Sequence, residues 1–141
     1  MEGRRRNAFA VVQILAIGAL LWLLISWDHP WTALRYAGTV LVVLGAAMLG
    51  VARYQLGNSF SLKPEAHELV TTGLYSKIRN PIYVSGMIMI LGMILATQKP
   101  VLWVVMVAVV IGQTVRARRE AQVLEAAFGD AYREYRRKTW F

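Results

Sequence analysis

The sequence predicts an all-α, polytopic membrane protein with about four transmembrane helices, a helical hairpin in its C-terminal half and a cytoplasmic C-terminal helix. Three observations carry that expectation. Of the 141 residues, 57% are hydrophobic, and the mean hydropathy is +0.44, more apolar surface than one soluble domain of this length can hide. The apolar residues gather into four uncharged stretches. The basic residues, which give a net charge of +8, gather outside them in short clusters. Residues 1–141 read as one membrane domain.

The first stretch, residues 7–27, is long enough to cross a hydrocarbon core of roughly 30 Å at about 1.5 Å per helical residue. It follows Arg4, Arg5 and Arg6, as a signal peptide would, but it exceeds the usual apolar run of one. It also ends in Trp27-Asp28-His29-Pro30 rather than in small residues, so it is read as an uncleaved span. The second stretch, residues 36–52, is shorter, and Arg35 and Arg53 are expected to snorkel from its ends. Gly38, Gly45 and Gly50, with Ala46 and Ala47, suit close helix packing, within or between chains. Residues 81–98 and 100–115 form the third and fourth stretches. Only Lys99 separates them, which predicts an antiparallel hairpin. Trp22, Trp27, Trp31 and Trp103 fall near span ends, where interfacial aromatics belong.

Orientation follows from the positive charges. The N-terminus, the segment 53–80 and the tail 116–141 carry nearly all the Lys and Arg, while the loops around Asp28–Arg35 and Lys99 carry few. With an even number of spans, both termini are expected in the cytoplasm, and the clusters face anionic headgroups. The expected location is the cytoplasmic membrane of a bacterium or archaeon. Nucleic-acid binding is set aside because the cations flank apolar runs instead of covering a soluble face.

Composition removes several chemistries. With no cysteine there are no disulfides, thiolate metal sites or Cys nucleophiles, and with only His29 and His67 no metal site is predicted. The four stretches contain no Asp, Glu, Lys, Arg or His, which argues against a proton-coupled transporter or an ion pump. Any chemistry then belongs to the cytoplasmic segments and their junctions with the spans.

Two such segments stand out. In residues 67–86, Gly73 permits a tight turn or close approach to a ligand. Pro81 suits the first turn of the third span, and Asn80 sits at its N-cap, behind Tyr75 and Arg79. Free N–H groups at a helix start beside an Arg would make an anion-binding corner, although a capped helix with an ordinary interfacial Arg and Tyr fits equally. In residues 119–135, Leu124, Phe128, Tyr132 and Tyr135 recur at helical spacing, and Glu120 shares their face. A carboxylate there asks for a cation, and an ion pair with Arg79 or Arg116 that only pins the helix would satisfy it. Gly129 is expected to interrupt the helix, with Asp130 capping a last short turn.

Together the two segments resemble the C-terminal half of the isoprenylcysteine carboxyl methyltransferase and phospholipid methyltransferase superfamily of integral membrane enzymes. Its pattern runs approximately H-x-L-V-x-x-G-x-Y-x-x-x-R-H-P-x-Y, a hairpin, then E-E-x-x-L-x-x-x-F-G-x-x-Y-x-x-Y. His67, Leu69, Val70, Gly73, Tyr75, Arg79, Pro81 and Tyr83 match the first part, and Glu120, Leu124, Phe128, Gly129, Tyr132 and Tyr135 match the second. Two positions depart from it. Asn80 stands where the family most often has His, and Ala121 replaces the second Glu. Asn keeps hydrogen-bonding capacity but cannot serve as a general base, and the missing Glu is read as a sign of an acceptor other than a prenylcysteine carboxylate.

The resemblance implies methyl transfer from S-adenosylmethionine to a lipophilic acceptor that enters from the bilayer: an isoprenylcysteine carboxylate, a phospholipid amine or a related small lipid. Arg79 and Glu120 are expected to be catalytic, with Arg79 orienting a negative group and Glu120 also binding the cofactor. His67, Leu69, Val70, Gly73, Tyr75, Asn80, Pro81 and Tyr83 are expected to line the cofactor pocket, with Tyr132 and Tyr135 closing it. Membrane lipids are the other expected partners, and oligomeric state is not read from the sequence. Two further readings stay open: an NADPH-dependent sterol-type reductase, which has a similar Arg-x-Pro-x-Tyr corner, and a non-catalytic scaffold, which Asn80 and Ala121 would suit.

Overall fold

A computed structural model describes residues 2–26, 28–56 and 69–141, so the expectations for Trp27 and His67 fall outside it. The described residues form five α-helices: α1 (Glu2–Ser26), α2 (Ala33–Leu56), α3 (Pro81–Thr97), α4 (Val101–Phe128) and α5 (Asp130–Lys138). A 3-10 turn, Gly73–Ser76, precedes α3. By length and apolarity, α2 and α4 can cross a bilayer, whereas Gln13–Ser26 and Pro81–Thr97 are apolar but shorter.

The core is the seam between α2 and α3. On α2 the buried residues are Arg35, Gly38, Val42, Gly45, Leu49 and Ala52, whose alternating steps of three and four give the 3.5-residue repeat of a left-handed helix pair. Small residues bring the backbones together. A Cβ on Gly38 would lie 2.4 Å from the Gly92 carbonyl oxygen, and one on Gly45 would lie 2.6 Å from Met89 Cγ. Val42 and Ser85 are fully buried between the helices, and the Ser85 hydroxyl donates back to the Pro81 carbonyl at 2.6 Å. Between apolar helices in lipid the attraction comes from such close packing, because lipid tails remove the hydrophobic drive. Of the glycines expected to serve this, Gly38 and Gly45 do so, while Gly50 meets nothing within 4 Å.

The third and fourth helices form the expected antiparallel hairpin. Gln98 closes α3 in the left-handed conformation (φ 52°), its N–H donating to Ile94 O at 2.8 Å, and Pro100 opens α4. Gly86 lies opposite Gln113, and Tyr83 opposite Glu120. The contact is thin, and no residue of α4 is buried. Val104 is 70% exposed and Ile111 59%, a surface that suits lipid. The helical face expected over residues 119–135 lies partly on α4, which runs unbroken from the fourth apolar stretch to Phe128, and partly on α5.

Arg35 and Arg53 differ from the expectation that they reach outward. Arg35 is 3% exposed, donates to Leu24 O at 2.5 Å and to His29 O, and lies 4.3 Å from the Trp31 ring. Carbonyls at the end of α1 lack helical partners, and a guanidinium with several donors satisfies one of them, Leu24 O, together with the His29 carbonyl of the following loop. At the other end of the same pair, Arg53 donates to Gln13 Oε1 at 2.6 Å. These pairings place the ends of α2 and α4 and the starts of α1 and α3 at one end of the bundle. Most basic residues sit there, with Arg35 and Lys99 at the opposite end.

Candidate functional site

The site is built at that basic end from the segment before α3, the last third of α4 and the folded-back α5. Gly73 opens the 3-10 turn at φ +60°, and a Cβ there would meet the Gln55 side chain at 2.3 Å. The fit is used: Gln55 Oε1 accepts from the Leu74 N–H at 2.7 Å, tying the end of α2 to the turn. The turn buries Tyr75 and leads through Arg79 to Pro81, the first residue of α3.

Asn80 occupies the N-cap as predicted, but its side chain makes no cap bond; the Tyr83 N–H that it would reach donates to Asn80's own carbonyl at 3.0 Å. The backbone donors just before α3 are taken up by the end of the chain. Arg79 N–H donates to Trp140 O at 3.1 Å and Asn80 N–H to Phe141 O at 3.0 Å, while Trp140 N–H donates to Lys77 O at 3.0 Å. The C-terminal residues thus form a parallel bridge with the corner at Ile78 and Trp140.

Glu120 finds its cation, and the partner is Arg116 rather than Arg79: Arg116 Nε lies 3.0 Å from Glu120 Oε1. The same oxygen accepts the Tyr83 hydroxyl at 2.6 Å. With both bonds on Oε1, the second oxygen keeps its acceptor capacity. The Arg116 guanidinium sits 5.8 Å from the Tyr83 ring, so Tyr83, Arg116 and Glu120 bind α3 to α4 as one polar group. Tyr75 lies within electrostatic reach of Glu120 and Arg53. Burial first, then Tyr135 and Glu120, push its hydroxyl pKa above the usual tyrosine value of 10.0, while Arg53 opposes the shift.

Arg79 is placed on the other side of Tyr75, with the tyrosines of α5. Gly129 breaks the helix at φ +52°, and α5 folds back so that Tyr132 and Tyr135 are buried. Asp130 does not cap α5; it is the first helical residue and bonds Arg133 at 3.0 Å. The Tyr135 hydroxyl donates to Tyr75 O at 2.8 Å. Burial, then the neighbouring Tyr132, pushes the Tyr135 pKa up to about 12, against the pull of Arg79. Burial also raises the Tyr132 pKa, against the pull of the nearby Arg79 and Arg136 charges. Arg79 Nε is buried and has no hydrogen-bond partner among the described residues.

Of the predicted site residues, Tyr83 and Glu120 meet directly, with Tyr75 in electrostatic reach of both; Gly73, Asn80 and Pro81 shape the corner, and Arg79 stands beside it. Leu69 and Val70 are half-buried just upstream. Gln55, Trp140 and Phe141 were not anticipated. Gln55 is one polar residue at a helix end and the other two belong to a short tail, so none carries a periodic signal.

A family model described as phospholipid methyltransferase matches residues 30–131. The chain is 30% identical over 114 residues to a protein-S-isoprenylcysteine O-methyltransferase of Rattus norvegicus, and 29% identical over the same length to the Mus musculus protein of that name. Each alignment covers 76% of this chain and 40% of the relative, so the chain spans about 40% of the length of these curated relatives. No solved structure matches.

Proposed function

The chain belongs to the phospholipid methyltransferase family, and on that footing we propose that it transfers a methyl group from S-adenosylmethionine to a lipophilic acceptor at the cytoplasmic surface of a membrane. In this reading all four apolar helices are spans, including α3, whose 17 residues rise about 26 Å. The basic end of the bundle is cytoplasmic, with both ends of the chain on that side, in a bacterial or archaeal inner membrane.

The observation that carries the proposal is the pairing of two unlike binding groups at this end. Glu120, anchored through one oxygen by Tyr83 and Arg116, keeps the other for an ammonium or ribose hydroxyl. Arg79 keeps a buried, unpartnered Nε donor, which suits a carboxylate. S-adenosylmethionine carries both kinds of group, and when bound it supplies an electrophilic methyl on a sulfonium. The residues' work is to hold the nucleophile in line with that methyl at about 3–3.5 Å, which is the main source of acceleration in such a displacement. Tyr75 and Tyr83 offer ring faces to the positive sulfur. Asn80 cannot take up a proton, so the site suits a nucleophile that attacks without first losing one, such as an ionised carboxylate or a neutral amine.

Calorimetric titration of the purified protein with S-adenosylmethionine and S-adenosylhomocysteine tests this reading. Micromolar binding that Glu120→Ala removes is the expected result. No binding of either compound to folded protein would overturn it and favour a non-catalytic scaffold; binding of NADPH instead would favour the reductase.

A further inference from the structure

The C-terminal clasp has a second surface, facing away from the site. α5 starts at Asp130, just past the end of α4, and runs back until Trp140 pairs with Ile78 and Phe141 O meets Asn80 N–H. Asn80 is the N-cap of α3, so the last turn of α5 is delivered to the level at which α3 starts. That turn reads Arg136, Arg137, Lys138, and Trp140 follows it with 59% of its surface exposed. Tyr132 and Tyr135 fill the inward face, which leaves the cations outside.

The acidic partners of these cations hold them weakly. Arg136 Nη1 is 4.0 Å from Glu125, and Lys138 Nζ is 2.6 Å from Glu134, with both side chains of the latter pair more than two-thirds exposed. Ion pairs so open to water contribute little and are readily exchanged for another anion. A basic turn followed by an exposed Trp at the level of a span's start is complementary to one occupant: the negatively charged, part-apolar headgroup layer.

We propose that Arg136, Arg137, Lys138 and Trp140 form a docking surface for anionic phospholipid headgroups, and that docking holds the tail closed on the Arg79–Asn80 corner. The coupling is structural. The residues that would touch lipid adjoin those whose carbonyls accept the Arg79 and Asn80 N–H groups. Lipid charge would then set how firmly the corner is framed. The inference rests on α3 spanning the membrane, but not on methyl transfer.

The test is hydrogen–deuterium exchange of the full chain in nanodiscs of phosphatidylcholine alone, or of phosphatidylcholine with phosphatidylglycerol. The amides of Arg79, Asn80 and Trp140 should exchange more slowly in the anionic discs, on the order of tenfold. High salt should remove the difference in the unmodified protein, because it screens exposed charges. The double variant Arg137→Gln/Lys138→Gln should remove it as well while leaving exchange in phosphatidylcholine unchanged. Equal exchange in the two discs would overturn the proposal, as would full protection by inorganic phosphate in phosphatidylcholine discs. Because exchange needs no cofactor, loss of S-adenosylmethionine binding with the lipid effect intact would count against the methyltransferase reading alone.

Discussion

The two faces of α3 are joined to their neighbours by different chemistry. Towards α2, glycines and a serine bring backbones into contact along four turns. Towards α4 the contact is a few polar groups, Gln113 against Gly86 and the Tyr83–Glu120–Arg116 set, with no buried residue on α4 at all. A seam of close backbone contacts has little room to adjust, whereas helices held by side-chain tips can part without losing a core. The rigid seam fixes the corner before α3, and the loose one supplies the site's carboxylate. On the proposed function, the loose side is where an acceptor coming from the bilayer would enter.

A series of single methyl groups sharpens this contrast. Gly92→Ala would place its Cβ 2.6 Å from the Gly38 carbonyl and 2.8 Å from the Val42 amide, both backbone atoms, so the helices must separate. Overpacking of this kind costs about 1–3 kcal/mol, and a clear fall in thermal unfolding temperature in detergent is expected. Gly86→Ala meets only the tip of Gln113, at 3.3 Å, and should cost less than about 1 kcal/mol. Gly112→Ala, on α4 with nothing within 4 Å, should leave stability unchanged within about 0.5 kcal/mol. Equal losses at all three glycines would erase the distinction between the seams.

The clasp adds a pH dependence of known sign. Tyr75, Tyr132 and Tyr135 have their ionisation raised by burial, so the fold favours their neutral forms. Their contribution is complete below pH 10, the usual tyrosine value, and is lost as pH rises through about 12 at Tyr135. Tyr135→Phe should cost about 1 kcal/mol at neutral pH, through the lost bond to Tyr75 O, and should flatten part of this alkaline fall. Unfolding midpoints measured across alkaline pH for both proteins check the sign.

Much of this arrangement was legible in the sequence, because it rests on local rules. Gly73 has the positive φ that a tight turn needs, Pro81 starts α3, and Gly129 breaks the chain before α5. The glycine spacing on α2 pointed to close packing, and the joint at Lys99 to a hairpin. What the sequence left open was decided by long-range contacts. Nothing local says that Arg35 turns inward to the end of α1, or that Arg79 lies with Tyr132, whereas Glu120 takes Arg116 by the local i,i+4 spacing on α4. The tail pairing joins residues more than sixty positions apart without a repeating pattern, and it takes up the Arg79 and Asn80 N–H groups just before α3.

The most direct measurement is transfer of an isotopically labelled methyl group from S-adenosylmethionine into the lipid-soluble fraction of membranes containing the protein. Label is expected in that fraction with the unmodified chain, and a loss of at least about tenfold with Glu120→Ala in protein that remains folded. Label that remains at full level in Glu120→Ala, or that never enters the lipid fraction although the cofactor binds, would contradict the proposed function.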